Sequence, residues 1–165
     1  MKKNICIIII LVIIDQLIKL LVIRNLGEVG QNFEIIPNVL SIMLVQNLGA
    51  AFGILYYRLF LIGVDLVVIF VVTKILLTKK YPISNKTKLG LTLIIAGGFG
   101  NLIDRVFRGY VIDYIDINKV FEFPVFNFAD ILIVIGVIIV FTMILINTIK
   151  SQENMNEGIQ SKWNK

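Results

Sequence analysis

GGFGNLIDRVFRGYVIDYIDINKVFEFPVFNFAD, residues 97–130, ends one long apolar run and opens the next. Asn101, Asp104, Arg105, Asp113, Asn127 and Asp130 all fall within it. An ionisable side chain inside a membrane-spanning segment costs roughly 2.5–3.5 kcal/mol on insertion scales. A chain that holds several near one depth has a use for them.

The apolar runs on either side decide the class. The chain has 165 residues, of which 58% are hydrophobic and 16% charged, and its mean hydropathy is +0.90. That is one domain's worth of sequence, too apolar for a soluble domain. Residues 4–23, 59–78, 89–107 and 125–149 each reach the roughly 17–25 residues that cross a hydrocarbon core. Helices of a soluble bundle would show polar faces, which these runs lack. The reading is an all-α membrane protein with four transmembrane helices over residues 1–150, followed by a flexible cytoplasmic tail over 151–165.

Lys2, Lys3, Lys79, Lys80, Lys86, Lys88 and Lys150 gather on one side of these spans, against Arg24, Arg58, Arg108 and Lys119 spread over longer segments on the other. The bias predicts both termini in the cytoplasm, with a cell-membrane location. The net charge of +5 is then a topology signal, and without a basic patch interleaved with aromatics no nucleic-acid partner is expected. MKKNICIIIILVII at the N-terminus imitates a secretory signal peptide, but no small-x-small cleavage site follows, so it reads as an uncleaved first span.

Cys6 is the only cysteine and histidine is absent. This excludes internal disulfides, cysteine metal clusters, His-ligated zinc and Ser-His or Cys-His catalysis within the chain. No cofactor or metal is expected. The serines are Ser41, Ser84, Ser151 and Ser161, so hydrolytic chemistry would most naturally run on carboxylates.

Residues 24–57 form an extracytoplasmic segment. Within it, 33–36 and 39–46 are β-branched-rich stretches around Pro37-Asn38, which predicts a small β-hairpin. AAFGILYY (50–57) is apolar, aromatic and too short to span, which predicts an interfacial helix. Ala96, Gly97, Gly98 and Gly100 let helix backbones approach closely.

Asp15 and Lys19, four apart, share a helix face and can form a buried ion pair; Gln16 lies on a different face. Asn101, Asp104 and Arg105 form one polar stripe, and Asn127 and Asp130 another. Asp15 lies about 12 Å below the outer end of its helix at 1.5 Å per residue. The three helices therefore bring their polar groups into one outer layer, which predicts a single outward-opening site. Two carboxylates in a partly desolvated pocket share one proton, so one serves as base and the other as acid. Spacing alone leaves Asp104, Asp113 and Asp130 all eligible for that pair.

Rival chemistries are a small transporter or channel using the carboxylates for protons or cations, a serine-lysine peptidase using Ser41 and Lys19, and a carboxylate-metal lipid enzyme. The first lacks an obvious inverted repeat, and the second leaves the aspartate-rich blocks unexplained.

DQLIK (15–19), NLGAAFGIL (47–55), GGFGNLIDRVFRGYVIDYI (97–115) and FNFAD (126–130) resemble the four blocks of the bacterial lipoprotein signal peptidases, in order and at similar spacing. The resemblance implies a four-helix intramembrane aspartyl endopeptidase that cleaves before a diacylglyceryl-modified cysteine. It implies that Asp113 and Asp130 form the catalytic pair and that Asn101, Asp104, Arg105, Asn127 and Ala129 line or support it. Asp15, Lys19, Asn47 and Gly49 match the blocks that hold pocket and substrate. Its partners would be diacylglyceryl-modified prolipoproteins and membrane lipid. Asp116 matches no block and reads as a solvated loop carboxylate. For Asp65 two alternatives stand, the same polar cavity or an interfacial pair with Arg58.

Overall fold

The structure is a computed structural model, and it describes residues 2–49, 54–78, 83–118, 120 and 122–163. In chain order the elements are α1 (Lys2–Leu26), β1 (Asn32–Ile36), β2 (Leu40–Asn47), α2 (Ile54–Leu77), α3 (Asn85–Phe107), β3 (Val111–Asp116) and α4 (Phe128–Trp163). All four helices are long and apolar enough to cross a bilayer.

α3 is the axis of the bundle and packs against α1, α2 and α4. Of its most apolar stretch 56% is buried, against 17% in α1, 6% in α2 and 17% in α4. The outer helices therefore turn Ile9, Leu17, Phe60, Phe70, Ile138 and Phe141 away from the protein. Exposed apolar surface on that scale is stable only against lipid. α3 tolerates its position because small residues line it. A Cβ placed on Gly136 would lie 2.6 Å from the Gly90 carbonyl oxygen, and one on Gly90 would lie 2.8 Å from that of Gly136. The two backbones touch, which only glycine at both positions permits. The start of α3 is capped by Ser84, whose Oγ accepts from the Thr87 N–H at 3.1 Å.

The segment between α1 and α2 differs from the reading in one respect. β1 and β2 form the hairpin around Asn38, whose φ of 59° suits the turn, but β3 adds a third antiparallel strand beside β2. VIDYID is rich in β-branched residues but shows no polar–apolar alternation, so its pattern did not mark a strand. Val22 of α1, Leu44 of β2, and Ile112 and Tyr114 of β3 form a buried cluster that seats the sheet on α1. Phe126 exchanges backbone hydrogen bonds with Ile115 at 2.7 and 3.1 Å, which fixes the chain as it enters α4.

Three boundaries also move. Of the expected interfacial helix, residues 50–53 lie outside the described residues and Ile54 onward belongs to α2. α4 begins at Phe128, where Asn127 can cap it. The segment from 151, expected as a flexible tail, is helical through Trp163; SQENMNE holds helix-forming Gln, Glu and Met and no proline.

The Gly90–Gly136 contact carries a prediction. Gly136→Ala should lower stability by about 1–3 kcal/mol, the usual cost of overpacking. Gly63→Ala on α2, where a Cβ meets nothing within 4 Å, should be neutral or stabilising. Thermal unfolding of both variants in one detergent checks this.

Candidate active site

Lys19 is fully buried, and its ammonium reaches Asp15 Oδ2 at 2.9 Å, Asp104 Oδ2 at 3.0 Å and Asn101 Oδ1 at 3.2 Å. An ammonium has three donors, and all three are used. Each partner passes the constraint on. Asp15 Oδ1 accepts from the Ala129 N–H at 3.1 Å, tying α1 to the first turn of α4. Asp104 Oδ2 accepts from the Ile112 N–H at 3.1 Å, tying α3 to β3. A Cβ on Gly100 would sit 2.6 Å from Asp15 Oδ2, so α1 approaches α3 here only because residue 100 has no side chain.

Above this layer lie Asp113 and Asp130. Asp113 is the third residue of β3, opposite Val45. Its Oδ1 accepts from Asn127 Nδ2 at 2.6 Å and its Oδ2 from Asn47 Nδ2 at 2.7 Å. Asp130 is the third residue of α4 and forms a capping box with Asn127. Asn127 Oδ1 accepts from the Asp130 N–H at 3.0 Å, while Asp130 Oδ2 accepts from the Asn127 N–H at 3.1 Å. The other Asp130 oxygen accepts from Asn101 Nδ2 at 2.7 Å. Asn127 also donates to Asn101 Oδ1 at 3.1 Å, so the two amides bridge both carboxylates. Gly49, with φ of 90°, donates its N–H to Asn47 Oδ1 at 2.8 Å and so turns the Asn47 amide nitrogen toward Asp113.

Burial raises the Asp113 pKa to about 6. The Asn47 and Asn127 hydrogen bonds oppose that rise, the Asp130 carboxylate adds to it, and Lys19 opposes it slightly. Asp113 borders two grooves, the first of which Asp130 also lines. One, of about 540 Å³, runs from Asn47, Asp113 and Asp130 along Ile131, Val134 and Ile135 of α4. The other, of about 440 Å³, follows Val45–Gly49 past Asp113. A carboxylate pair at the junction of a lipid-facing and a strand-lined groove suits hydrolysis of an amide in an anchored extended chain.

Most residues singled out in the sequence meet here: Asp15, Lys19, Asn47, Gly49, Asn101, Asp104, Asp113, Asn127, Ala129 and Asp130. Arg105 does not. It pairs with Asp65 of α2 at 2.8 Å, because α3 has neighbours on three sides and its polar stripe spans two interfaces. Both alternatives for Asp65 are thereby replaced, since Arg58 instead donates to the Arg105 and Val106 carbonyls, each at 2.8 Å. Gln16 is also corrected: its amide reaches Asp15, the Gly100 carbonyl and Asp104, each at 3.1 Å. Arg108, read in the sequence only as a charge, binds Asp104 and, at 2.9 Å, Gln16 Oε1; its spacing of four from Asp104 was the available signal. Asp116 ends β3 and accepts from Ser41 Oγ at 3.1 Å. With Ser41 held there and Lys19 committed elsewhere, the serine-lysine alternative loses its geometry.

Four spans, a sheet at one end of them and two bridged carboxylates, one buried and one half-buried, define a polytopic membrane enzyme of the hydrolytic kind. Residues 7–146 match the family described as Signal peptidase (SPase) II, and the chain belongs to that family. It is 37% identical over 146 residues to the lipoprotein signal peptidase of Enterococcus faecalis, covering 88% of this chain and 89% of that one. To the lipoprotein signal peptidase of Clostridium novyi it is 36% identical over 136 residues, covering 81% and 91%. Two solved structures described as bacterial membrane enzymes, both 34% identical, superpose with TM-scores of 0.77 and 0.78. They cover 90% and 88% of this chain, and 90% and 94% of their own. The chain is thus an aspartic-type peptidase of the bacterial membrane.

Replacing Lys19 by Met should cost about 3–5 kcal/mol, because it removes the cation that the buried Asp15 carboxylate is paired with and leaves Asp104 with Arg108 alone. Thermal unfolding measured beside a conservative Ile18→Leu control is the check.

Proposed function

We propose that Asp113 and Asp130 are the catalytic pair of an enzyme that removes the signal peptide from prolipoproteins, cutting before a diacylglyceryl-modified cysteine. The observation that supports this most is that both carboxylates share the bridging amides of Asn101 and Asn127 at the mouth of an apolar groove on α4. Asp113, with its raised pKa, holds the shared proton and gives it toward the scissile carbonyl oxygen. Asp130 takes a proton from water as the water oxygen bonds to the carbonyl carbon. Collapse of that tetrahedral species breaks the carbon–nitrogen bond as the proton on Asp130 passes to the leaving amine and Asp113 takes back a proton from one hydroxyl, which restores the pair and leaves the carboxylic acid product. Asn47, Asn101 and Asn127 orient the pair. Lys19, Asp15, Asp104 and the Ala129 backbone hold α1, α3 and α4 in register beneath it. Gly49 sets the Asn47 amide, and Arg105 stabilises the α2–α3 contact at a distance.

The lysine-rich ends of α1 and α3 favour both termini in the cytoplasm and the carboxylates in the outer leaflet. Residues 1–150 then form the peptidase unit, with 151–165 an appendage. Acyl chains lying along Ile131, Val134 and Ile135 would set the depth of the scissile amide and convert lipid anchoring into orientation.

Asp113→Asn and Asp130→Asn should each abolish cleavage of a diacylglyceryl-modified precursor while leaving the protein folded. The double variant should be no worse than either single, since the two act as a unit. The same precursor without its diacylglyceryl group, at equal concentration in the same micelles, should be left uncut. Equal cleavage of both forms would remove the lipid-recognition part of this reading.

The pH dependence of kcat/KM should be bell-shaped, with apparent values belonging to the pair. Loss of the shared proton sets the alkaline limb, placed by Asp113 at about 6 in the free enzyme. A hydrogen bond to a carboxylate stabilises its charged form, so removing a donor raises the pKa. Asn47→Ala should therefore move the alkaline limb to higher pH; a shift to lower pH would contradict the assignment.

A further inference from the structure

The end of the bundle away from the carboxylates carries a second constellation. α1 and α2 lean on α3 from different sides, and between them opens a cavity of about 470 Å³ walled by Ile5, Ile8, Thr73 and Leu76 and reaching Phe99. Asn4 and Lys88 line its outer end and also an adjoining cavity of about 330 Å³, which adds Lys3 and Asn85. From Lys88 to Phe99 α3 rises about 16 Å at 1.5 Å per residue, half of the roughly 30 Å hydrocarbon core. The apolar slot is one leaflet deep, with Lys88 at its mouth and Lys3 lining the adjoining cavity.

Among the described residues neither Lys3 nor Lys88 is paired with a carboxylate. Along α1 the nearest acidic residue to Lys3 is Asp15, about 18 Å further on at 1.5 Å per residue. We propose that the joined cavities bind one anionic glycerophospholipid, its phosphate between Lys3 and Lys88 and one acyl chain in the slot between α1 and α2. Basic pockets between spans suit anionic headgroups. A choline or ethanolamine headgroup would bring a further cation beside two lysines with no carboxylate to receive it. The lipid completes packing that α1 and α2 leave open and so stabilises the folded state by mass action.

Native mass spectrometry of the full chain in detergent tests this, with phosphatidylglycerol and phosphatidylcholine of identical acyl chains added separately. Retention of phosphatidylglycerol should exceed that of phosphatidylcholine by about tenfold or more. Lys3→Gln with Lys88→Gln should bring the two to the same level. Lys2→Gln with Lys86→Gln removes equal charge from exposed positions that line neither cavity, and should leave the preference intact. Thr73→Trp, which fills the slot, should also lower phosphatidylglycerol retention; undiminished binding there would mean that the phosphate alone is held. Equal retention of both lipids by the unsubstituted protein, or equal losses in the two lysine pairs, overturns the proposal. The thermal transition reports folding of each variant independently of peptidase activity, and the lysine pairs stay decisive if Thr73→Trp does not fold.

Discussion

One buried ammonium organises the carboxylate-bearing half of this protein. Lys19 draws Asp15, Asp104 and Asn101 onto a single point, and those three groups bind the backbone of α4, the backbone of β3 and the Asp130 carboxylate. With Arg108 also on Asp104, two cations offset two carboxylates below the pair. Burying charge in an apolar setting is tolerable only when every donor and acceptor is matched, and no buried side-chain nitrogen or oxygen among the described residues lacks a partner. Electrostatic satisfaction and positional accuracy are here the same property.

The remainder of the fold follows from putting the polar residues inside and the apolar ones out. α3 supplies the interior because it is rich in glycine and carries Asn101 and Asp104. α1, α2 and α4 supply lipid-facing surface and are apolar nearly all round. The sheet packs on α1 and delivers Asp113 from β3 and Asn47 from β2, so the site is assembled from two strands and three helices that are distant in sequence.

Much of this was legible in the residues. Four spans follow from run length, and the common depth of Asp15, Asn101, Asp104 and Asp130 follows from counting along alternating helices. Azimuth was harder to read. Arg105 looked like part of the same stripe, but a central helix distributes one stripe among several neighbours, and only packing shows which. Gln16 was set aside because it is one residue from Asp15, yet its side chain is long enough to curl back to α3. β3 was missed because a short strand between two spans has little room to declare a period. Arg108 was read by its charge and not by its spacing from Asp104.

The capping box at the start of α4 has a consequence for how such an enzyme comes into being. Asp130 is oriented by the same hydrogen bonds that begin the last helix, and Asp113 is held by the cap residue of that helix. Until α4 has formed its first turn and docked on α3, Asp113 stands without its partner carboxylate. On the proposed assignment, a nascent chain is therefore inert toward its neighbours in the membrane until that docking is complete. Competence arrives with the last span, as a property of completed folding.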